Sequence, residues 1–490
     1  MKKENNKFLI LGIIIIVLVS IAICSKEFQN DLFYSIKVGE SIFKNGIDFV
    51  DHYSWHSNLP YTYPHYLFDL IVYIIYNKFN YIGLYILEII FTSILGIIIF
   101  LINRKQTKYE VIPLLFSILT LFFLKPYITL RAQIVTFSIF ALTYYYLEKL
   151  YYNNDKKCII GLIINVILIN NFHIAVFPFF FIMFLPYIAE ELISNIKKIV
   201  NDKNKINIHH NKNIKLLFLI VIICLIAGLL TPLKTIPYTY LYNTLINDSM
   251  SMIEEHLPLV LKDNLIVLLF IFTTCMVLFI RKTKIKLHDL FMLLGLTLMA
   301  IMSNRQSSLL ILIGMFILVK LICELIEKNI YDKELSISLT KPLGIVITLI
   351  ITSIICINPF LINNKKDYIN KELYPTNAIS YIKNNLNYED VRLFNGYDFG
   401  SYLLLNDIKV FIDSRCDLYT FSYNLKNDYF KEYIDVLNMN TYYEYIFRKY
   451  NITHIILKNN SSIVEFLNND YNYNTIYTDD YFIIYSRKSN

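Results

Sequence analysis

The chain has 490 residues, 56% of them hydrophobic and 17% charged, with a formal net charge of +7. A charged fraction this far below the roughly 25% of soluble domains excludes an ordinary soluble enzyme. The positive balance does not point to nucleic acid, because the basic residues cluster in short stretches between apolar runs, as cytoplasmic anchors do.

Apolar runs near the ~20 residues needed to cross a bilayer recur along the chain. They fall at about 8–24, 82–102, 111–124, 133–147, 158–170, 172–189, 215–231, 264–280, 287–302, 307–323 and 342–360, which predicts about eleven transmembrane helices. The first run follows Lys2 and Lys3 and lacks a small-residue cleavage site, so it is expected to be retained as a span. Between the first two runs lies a loop rich in acidic and aromatic residues, with Asp31, Asp48, Asp51, His52, His56, His65 and the sole tryptophan, Trp55. Connectors of that length are usually functional or disordered, and the aromatic content argues for order. Segment 66–79 is short and carries Asp69, which places it in the interface as part of this loop.

With the N-terminus inside, the cytoplasmic loops hold Arg104, Lys105 and Lys108, then Lys149, Lys156 and Lys157, then the lysines from 197 to 215. Arg281, Lys282, Lys284 and Lys286 follow, and later Lys328, Lys333 and Lys341, while the alternate loops are poor in both residue types. An odd number of spans leaves the C-terminal part outside. From about 366 the composition turns polar and aromatic. Pro375 opens an amphipathic helix carrying Ala378, Ile379, Ile382 and Leu386. Strand-like runs VRLF (391–394), KVFI (409–412), HIIL (454–457) and FIIY (482–485) alternate with helical stretches at 424–438 and 461–468. The expected organisation is a membrane module, 1–365, whose first external loop spans 25–80, and a small extracytoplasmic α/β domain, 366–490. The seven cysteines are scattered singly with no CxxC or Cys/His spacing, which supports neither a disulfide framework nor a zinc site.

Polar residues at span ends concentrate on the predicted outer side. They are the first-loop carboxylates, Lys125 and Arg131, Asn170, Asn171 and His173, Thr231 and Lys234, Glu254, Glu255 and His256, and Asn304, Arg305 and Gln306. Ionisable groups near a membrane are costly and normally face a cavity or a partner. Taken singly, each has a plainer reading: the arginines as snorkelling anchors, His173 as a helix-end residue, Asp31 as a stop to the first span, the Glu254–His256 run as solvated loop. Their joint placement on one side favours a single polar site there.

The frame Asp31-x2-Tyr34-x4-Gly39-Glu40, with Gly46, Asp51 and Ser54, resembles the first external loop of GT-C superfamily glycosyltransferases, such as the protein O-mannosyltransferases and the lipid A aminoarabinose transferase. Arg131-Ala132-Gln133 is similar to an Arg-Pro-Gln of bacterial members, and Asn171-Phe172-His173 to their Asn-x-His-Gly, with Ile174 in place of the glycine. Thr231-Pro232 stands where many carry Asn-Pro. NGYDFGSYL (395–403) and FIDSRCDLY (411–419) resemble two C-terminal blocks of the same proteins. His65 stands where several relatives have an acidic residue.

The resemblance implies an enzyme of the cytoplasmic membrane that moves a sugar from a polyprenyl-phosphate carrier to an acceptor hydroxyl on a glycan, lipid or protein, outside the cell. Asp31 would be the general base with Asp51 as helper, and Arg131 and Arg305 would hold the donor phosphate. Tyr34, His65, Gln133, Asn171, His173, Glu255, Asp413, Arg415 and Asp417 are further site candidates. No cofactor is expected, with a divalent metal as the alternative. Relatives with diphosphate donors use a divalent metal, but here the first-loop acids are spread out with no DxD triplet. Two other classes fit a polytopic chain, a flippase or transporter and a polymerase or ligase for a lipid-linked glycan. The first predicts internal repeats and Gly/Pro-broken spans, and the second a large late loop. A cysteine introduced at Ser461, in a cysteine-free background, should react with a membrane-impermeant maleimide in intact cells. Labelling only after permeabilisation would overturn the sidedness.

Overall fold

The computed structural model describes residues 6–196, 206–207, 214–245, 253–280, 284–326, 330–387 and 391–488. The helices in chain order begin with α1 (Asn6–Ile23), α2 (Asn30–Asn45), α3 (Tyr66–Gln106), α4 (Val111–Leu124), α5 (Ala132–Asn153) and α6 (Lys157–Phe172). Next come α7 (Phe177–Ile182), α8 (Leu185–Ile196), α9 (Ile214–Ala227), α10 (Ile236–Leu245), α11 (Leu265–Phe279) and α12 (Leu287–Met302). Then follow α13 (Ser307–Leu325), α14 (Ile330–Leu339) and α15 (Pro342–Asn364). Every predicted apolar run falls largely on helix, the 172–189 run being divided between α7 and α8. Among the described residues, five helical segments are long and apolar enough to cross a membrane: Asn6–Ile23, Tyr66–Gln106, Ile174–Ser194, Asn304–Leu325 and Pro342–Asn364. Shorter apolar helices fill the remaining runs, save that at α5.

The chain divides into two compact units. The first comprises Met1–Ser25, Tyr85–Pro237 and Ser251–Lys365, and the second Lys26–Leu84, Tyr238–Met250 and Lys366–Asn490. In the first unit, apolar side chains face outward: on α15, Leu343, Ile350 and Ile354 are 71%, 52% and 66% exposed. That polarity is the reverse of a soluble helix and suits a lipid surround. Small residues allow the spans to approach. A Cβ on Gly12 would lie 2.7 Å from the Phe100 ring, and one on Gly96 2.6 Å from Ile16. Asn363 donates to the Ala22 carbonyl at 2.9 Å, a polar tie between α1 and α15.

At 41 residues α3 is about 60 Å long, twice a bilayer's hydrocarbon thickness. It is not continuous: Asn80 has φ 51° and ψ −151°, a left-handed φ that asparagine tolerates better than most residues. The break divides the Asp69 segment from the long apolar stretch, close to where the change in composition put it.

The second unit is built on a four-stranded sheet of β3 (Leu393–Asn395), β4 (His454–Lys458), β5 (Tyr473–Thr478) and β6 (Phe482–Arg487), in the order β3-β4-β6-β5. A two-residue parallel ladder in the first unit, β1 (Ile206–Asn207) with β2 (Ile285–Lys286), precedes these strands. β3 runs parallel to β4, and β6 is antiparallel to both of its neighbours. Phe482, Ile483, Ile484 and Tyr485 of β6 are consecutive and all buried, so the strand is covered on both faces. Helices α16 (Thr376–Asn385), α17 (Tyr397–Leu405), α18 (Phe421–Asn424), α19 (Tyr429–Leu437), α20 (Tyr443–Lys449) and α21 (Ser462–Asn468) complete the unit.

Two strand expectations need correction. KVFI is not in the sheet: Val410 accepts from the Trp55 amide at 3.3 Å and donates to the Tyr53 carbonyl at 3.4 Å. Its neighbours are clasped by Asn395, whose side chain accepts from the Phe411 amide at 2.8 Å and donates to the Ile412 carbonyl at 2.7 Å. An extended apolar segment can be paired with a loop as readily as with a sheet. β5 was not foreseen, because YNTIYT is polar and carries a register shift between Thr475 and Tyr477, as edge strands do.

The first loop and the C-terminal segment share one core. The Trp55 indole donates to the Leu393 carbonyl at 3.1 Å, and Lys426 Nζ to the Ser57 carbonyl at 2.6 Å. Phe33 of α2 packs edge-on against Tyr374 and Tyr402, with ring centroids 4.9 and 5.0 Å away. Where α2 meets α3, a Cβ on Gly39 would lie 2.1 Å from the Asp69 carbonyl oxygen and 2.7 Å from Tyr73 Cβ. Backbone cannot step aside as a side-chain tip can. Gly39→Ala should therefore destabilise the second unit by about 1–3 kcal/mol, measured as faster proteolysis of the folded protein. Unchanged resistance would show that α2 has room to shift.

Candidate functional site

In the second unit, Arg415 is the centre of a buried polar network. Its Nη1 donates to Asp51 Oδ1 at 2.6 Å, its Nη2 to Asp413 Oδ2 at 2.7 Å, and its Nε to Asp413 Oδ1 at 2.9 Å. Tyr419 donates to Asp413 Oδ2 at 2.6 Å. Ser54 donates twice to Asp51 Oδ2, from its hydroxyl at 2.6 Å and its amide at 3.0 Å, and the Tyr53 amide reaches Asp51 Oδ1 at 3.4 Å. The guanidinium also lies over the rings of Tyr53 and Tyr61, at 5.2 and 5.1 Å. The Asp51 and Asp413 side chains are wholly buried. Burial pushes Asp51 up, but Arg415 and the Ser54 hydrogen bonds outweigh it and leave the carboxyl below the usual range. Four donors occupy the Asp51 oxygens, as many as a carboxylate ordinarily accepts.

Asp31 sits in the first turn of α2 and is half-buried. Its neighbour Asn30 anchors the helix start, donating to the Tyr397 carbonyl at 2.9 Å. Tyr397 is a buried phenol pushed well up, by burial first, then by Cys416, Asp31, Asp413 and Asp417. Three of the predicted site carboxylates thus act on one phenol. Tyr34, one turn along α2, is hydrogen-bonded to His65 Nδ1 at 3.1 Å. Asp417 accepts from the hydroxyl of Tyr240, whose carbonyl takes a 2.7 Å bond from Tyr423. Burial raises the Tyr240 phenol, and Asp417, Tyr423 and Tyr34 are among the groups acting on it. Tyr34 with His65 and Asp417 with Tyr240 are thus two hydrogen-bonded pairs of this unit, and Asp31 lies one helical turn before Tyr34.

In the first unit, Arg131 immediately precedes α5 and its Nη1 lies 3.0 Å from Glu255 Oε1. Burial pushes Glu255 up, but Arg131 and then Arg305 overcome it and hold the carboxyl below its ordinary value. Arg305 lies in the turn Asn304–Gln306 that leads into α13, and its carbonyl accepts from Ser308 at 2.9 Å. Gln133 donates to the Ser308 hydroxyl at 3.4 Å. Arg131, Gln133, Glu255 and Arg305 are thus brought together. Asn171 and His173 are occupied at the end of α6. Asn171 donates to the Ile167 and Leu230 carbonyls at 2.6 and 3.1 Å, and His173 Nδ1 is 3.0 Å from the Thr136 hydroxyl.

A further cluster in the first unit escaped the sequence reading. His288 is bridged between Glu190 at Nδ1 and Glu148, 2.9 Å from Nε2, while Lys320 Nζ lies 3.1 Å from Glu148 and 2.9 Å from both oxygens of Asp289. The signal was present, since Lys320 interrupts an apolar run and Glu148 ends one. Among the described residues, Glu148, His288 and Asp289 are the one group spaced to hold a metal ion. The Lys320 ammonium already bonds both carboxylates that an ion there would use.

The Arg415 network sets an expectation for stability. Arg415→Met leaves two buried carboxylates unpaired and should cost about 3–5 kcal/mol. His56, whose Nε2 donates to the Phe411 carbonyl at 2.8 Å, is pushed down to about 4 by burial. Its folded value lies below the ordinary 6.5, so its contribution is complete above that pH and is lost as pH falls towards 4. The lowered Asp51 value has the same sign and acts at lower pH. The thermal stability of the second unit should therefore fall as pH drops from 6.5 to 4, and His56→Gln should flatten that interval. An unchanged slope would remove His56 as the cause.

No protein-family model and no curated protein sequence matches the chain. Solved structures do. The oligosaccharyltransferase of Archaeoglobus fulgidus in its apo form is similar at a TM-score of 0.61 and 12% identity, over 94% of this chain and 70% of that one. The same archaeal enzyme, AglB, in complex with an inhibitory peptide and a dolichol-phosphate, gives 0.57 at 11% identity, over 92% and 69%. A form tethered to an acceptor peptide containing the NVT sequon gives 0.56 at 11% identity, over 93% and 69%. At such identities the likeness speaks for the fold. The fold is like that of this oligosaccharyltransferase, with many helices, several of them long and apolar enough to cross a membrane, and a small C-terminal sheet.

Proposed function

We propose that the protein is a membrane glycosyltransferase that moves a sugar from a polyprenyl-phosphate carrier to an acceptor hydroxyl on the extracytoplasmic side. The observation that carries the reading is the fold likeness, extending over more than nine-tenths of the chain, to an oligosaccharyltransferase solved with a dolichol-phosphate and with an acceptor peptide. The grouping of Arg131 and Arg305 supports it, since guanidinium forks match phosphate oxygens and stay charged.

In this reading Asp31 takes the proton of the acceptor hydroxyl, a contribution of about 10²–10⁴-fold. The acceptor oxygen bonds to the anomeric carbon as the bond to the phosphate oxygen breaks, and the electron pair leaves with the phosphate. Direct attack inverts the anomeric centre. Arg131 and Arg305 stabilise the departing phosphate, and the reaction needs neither a general acid nor a cofactor. Tyr34, His65 and Asp417 shape the surroundings of Asp31. We give Asp51, Asp413 and Arg415 a holding role, because the Asp51 oxygens are already taken and its side chain is out of reach of an acceptor. Gln133 positions the Arg305 turn through Ser308. Asn171 and His173 fix the end of α6.

Asp31→Asn should abolish transfer from polyprenyl-phosphate sugar while leaving expression and membrane insertion intact. Near-normal turnover would remove Asp31 as the base. Arg131→Ala and Arg305→Ala should impair donor use more than the corresponding lysine variants, because a lysine keeps the charge but not the fork. Normal donor binding by both alanine variants would make these arginines surface anchors only.

A further inference from the structure

The contact between Arg131 and Glu255 is placed where the proposed reaction needs an empty cationic site. Two guanidinium groups, one at the start of α5 and one in the turn before α13, act on a single carboxylate. The same turn opens α13, whose first residues are Ser307 and Ser308 and whose N-terminal amides favour an anion. His256, beside Glu255, is pushed down to about 4 by burial and then by Arg305, so it is neutral near pH 7. The four side chains therefore carry two positive charges and one negative, leaving a positive excess that suits an anion more highly charged than a carboxylate.

Glu255 is built to leave. Its side chain is 49% exposed, against 22% for Arg131, so it reaches the arginines from the solvent side. Its segment stays in place by backbone bonds, from the Asn304 amide to the Leu257 carbonyl at 2.9 Å and from the Leu259 amide to the Ile301 carbonyl at 3.1 Å. A rotation of the Glu255 side chain would break its contact with Arg131 without moving the loop. An ion pair this exposed is weak, whereas a phosphate can engage two arginine forks.

We propose that Glu255 is a resident anion that holds the Arg131–Arg305 pair between turnovers and is displaced by the phosphate group of the incoming ligand, thereby setting the concentration at which that ligand binds. This rests on the reading above for the role of the arginines. It makes Glu255 a positioning residue and a determinant of affinity.

The test measures binding to the full-length protein in lipid nanodiscs with two probes, inorganic phosphate and undecaprenyl phosphate carried in the disc. Glu255→Gln keeps the shape and removes the charge, and Glu255→Ala serves as the second variant. Both should tighten phosphate binding about five- to tenfold at low salt, with the gain shrinking as ionic strength rises. Arg131→Gln in either background should cancel the gain. Tightening with both probes would mean that the bare phosphate is recognised, and tightening with undecaprenyl phosphate alone that the lipid-borne group is; either supports the proposal. Unchanged or weaker binding in both variants overturns it. If sugar transfer proceeds while Glu255→Gln gives no gain, this inference fails and the glycosyltransferase reading stands. If the gain appears but no sugar is transferred from any carrier, the reading fails and the displaced anion remains.

Discussion

A buried guanidinium cannot stand alone, and this requirement fixes the path of the chain through the second unit. Arg415 is almost fully buried, and its charge is tolerable only because Asp51 and Asp413 both reach it. Asp413 is local, two residues away, but Asp51 is separated from Arg415 by 364 positions. The first loop must therefore return to the C-terminal segment, and the remaining contacts follow from that docking. Trp55 reaches Leu393, Val410 pairs with the 53–55 strip, and α2 presents Phe33 to Tyr374 and Tyr402. Asp31 rides on α2, so its position depends on the same lock although it takes no part in it.

The first unit solves the opposite problem. Much of its exterior is apolar, and several of its charged groups are buried and paired. Glu148, Glu190 and Asp289 meet His288 and Lys320, while Arg104 bonds Glu110 at 2.6 Å and Asp332 accepts from the Glu110 and Val111 amides at the start of α4, at 2.7 and 3.1 Å. Each would be costly in a lipid surround if left open, and each is closed by a partner on another element. The Arg131, Glu255 and Arg305 group differs in being partly exposed, with a carboxylate half in solvent. Structural charge pairs need no such access. A site that must admit a charged ligand does.

The sequence was most informative where one physical signal dominated. Apolar runs located the helices, because length and hydropathy leave few alternatives to a span. HIIL and FIIY were legible as strands for the same reason, being short, branched and continuous. KVFI carries an equal signal, and its pairing with Tyr53 and Trp55 rather than the sheet is a tertiary choice that no local pattern encodes. β5 was hidden by its polar residues. The union of residues 26–84 with the C-terminal segment involves long-range ion pairs, Asp51 with Arg415, Lys37 with Asp407 and Glu27 with Lys366, whose members do not look unusual in their own surroundings. Arg131 and Arg305 could be paired in thought through sidedness. Glu255 was named with them, yet its contact with Arg131 joins positions 124 apart and had no signature in spacing. Ser54 was noted for the frame and Tyr419 only within a block; that both complete the Arg415 network emerges from the geometry.

The proposed transfer of a sugar from a lipid-linked phosphate rests on the fold likeness to an oligosaccharyltransferase and on the roles proposed for Asp31, Arg131 and Arg305. The most direct measurement is mass spectrometry of envelope glycans and lipid-linked sugars from cells with and without the gene. The account predicts that a sugar modification disappears from an envelope component while its polyprenyl-phosphate donor accumulates on loss of the gene, and that both changes reverse when the gene is restored. An unaltered glycan profile with no accumulated donor, under conditions in which the protein is made, would contradict it.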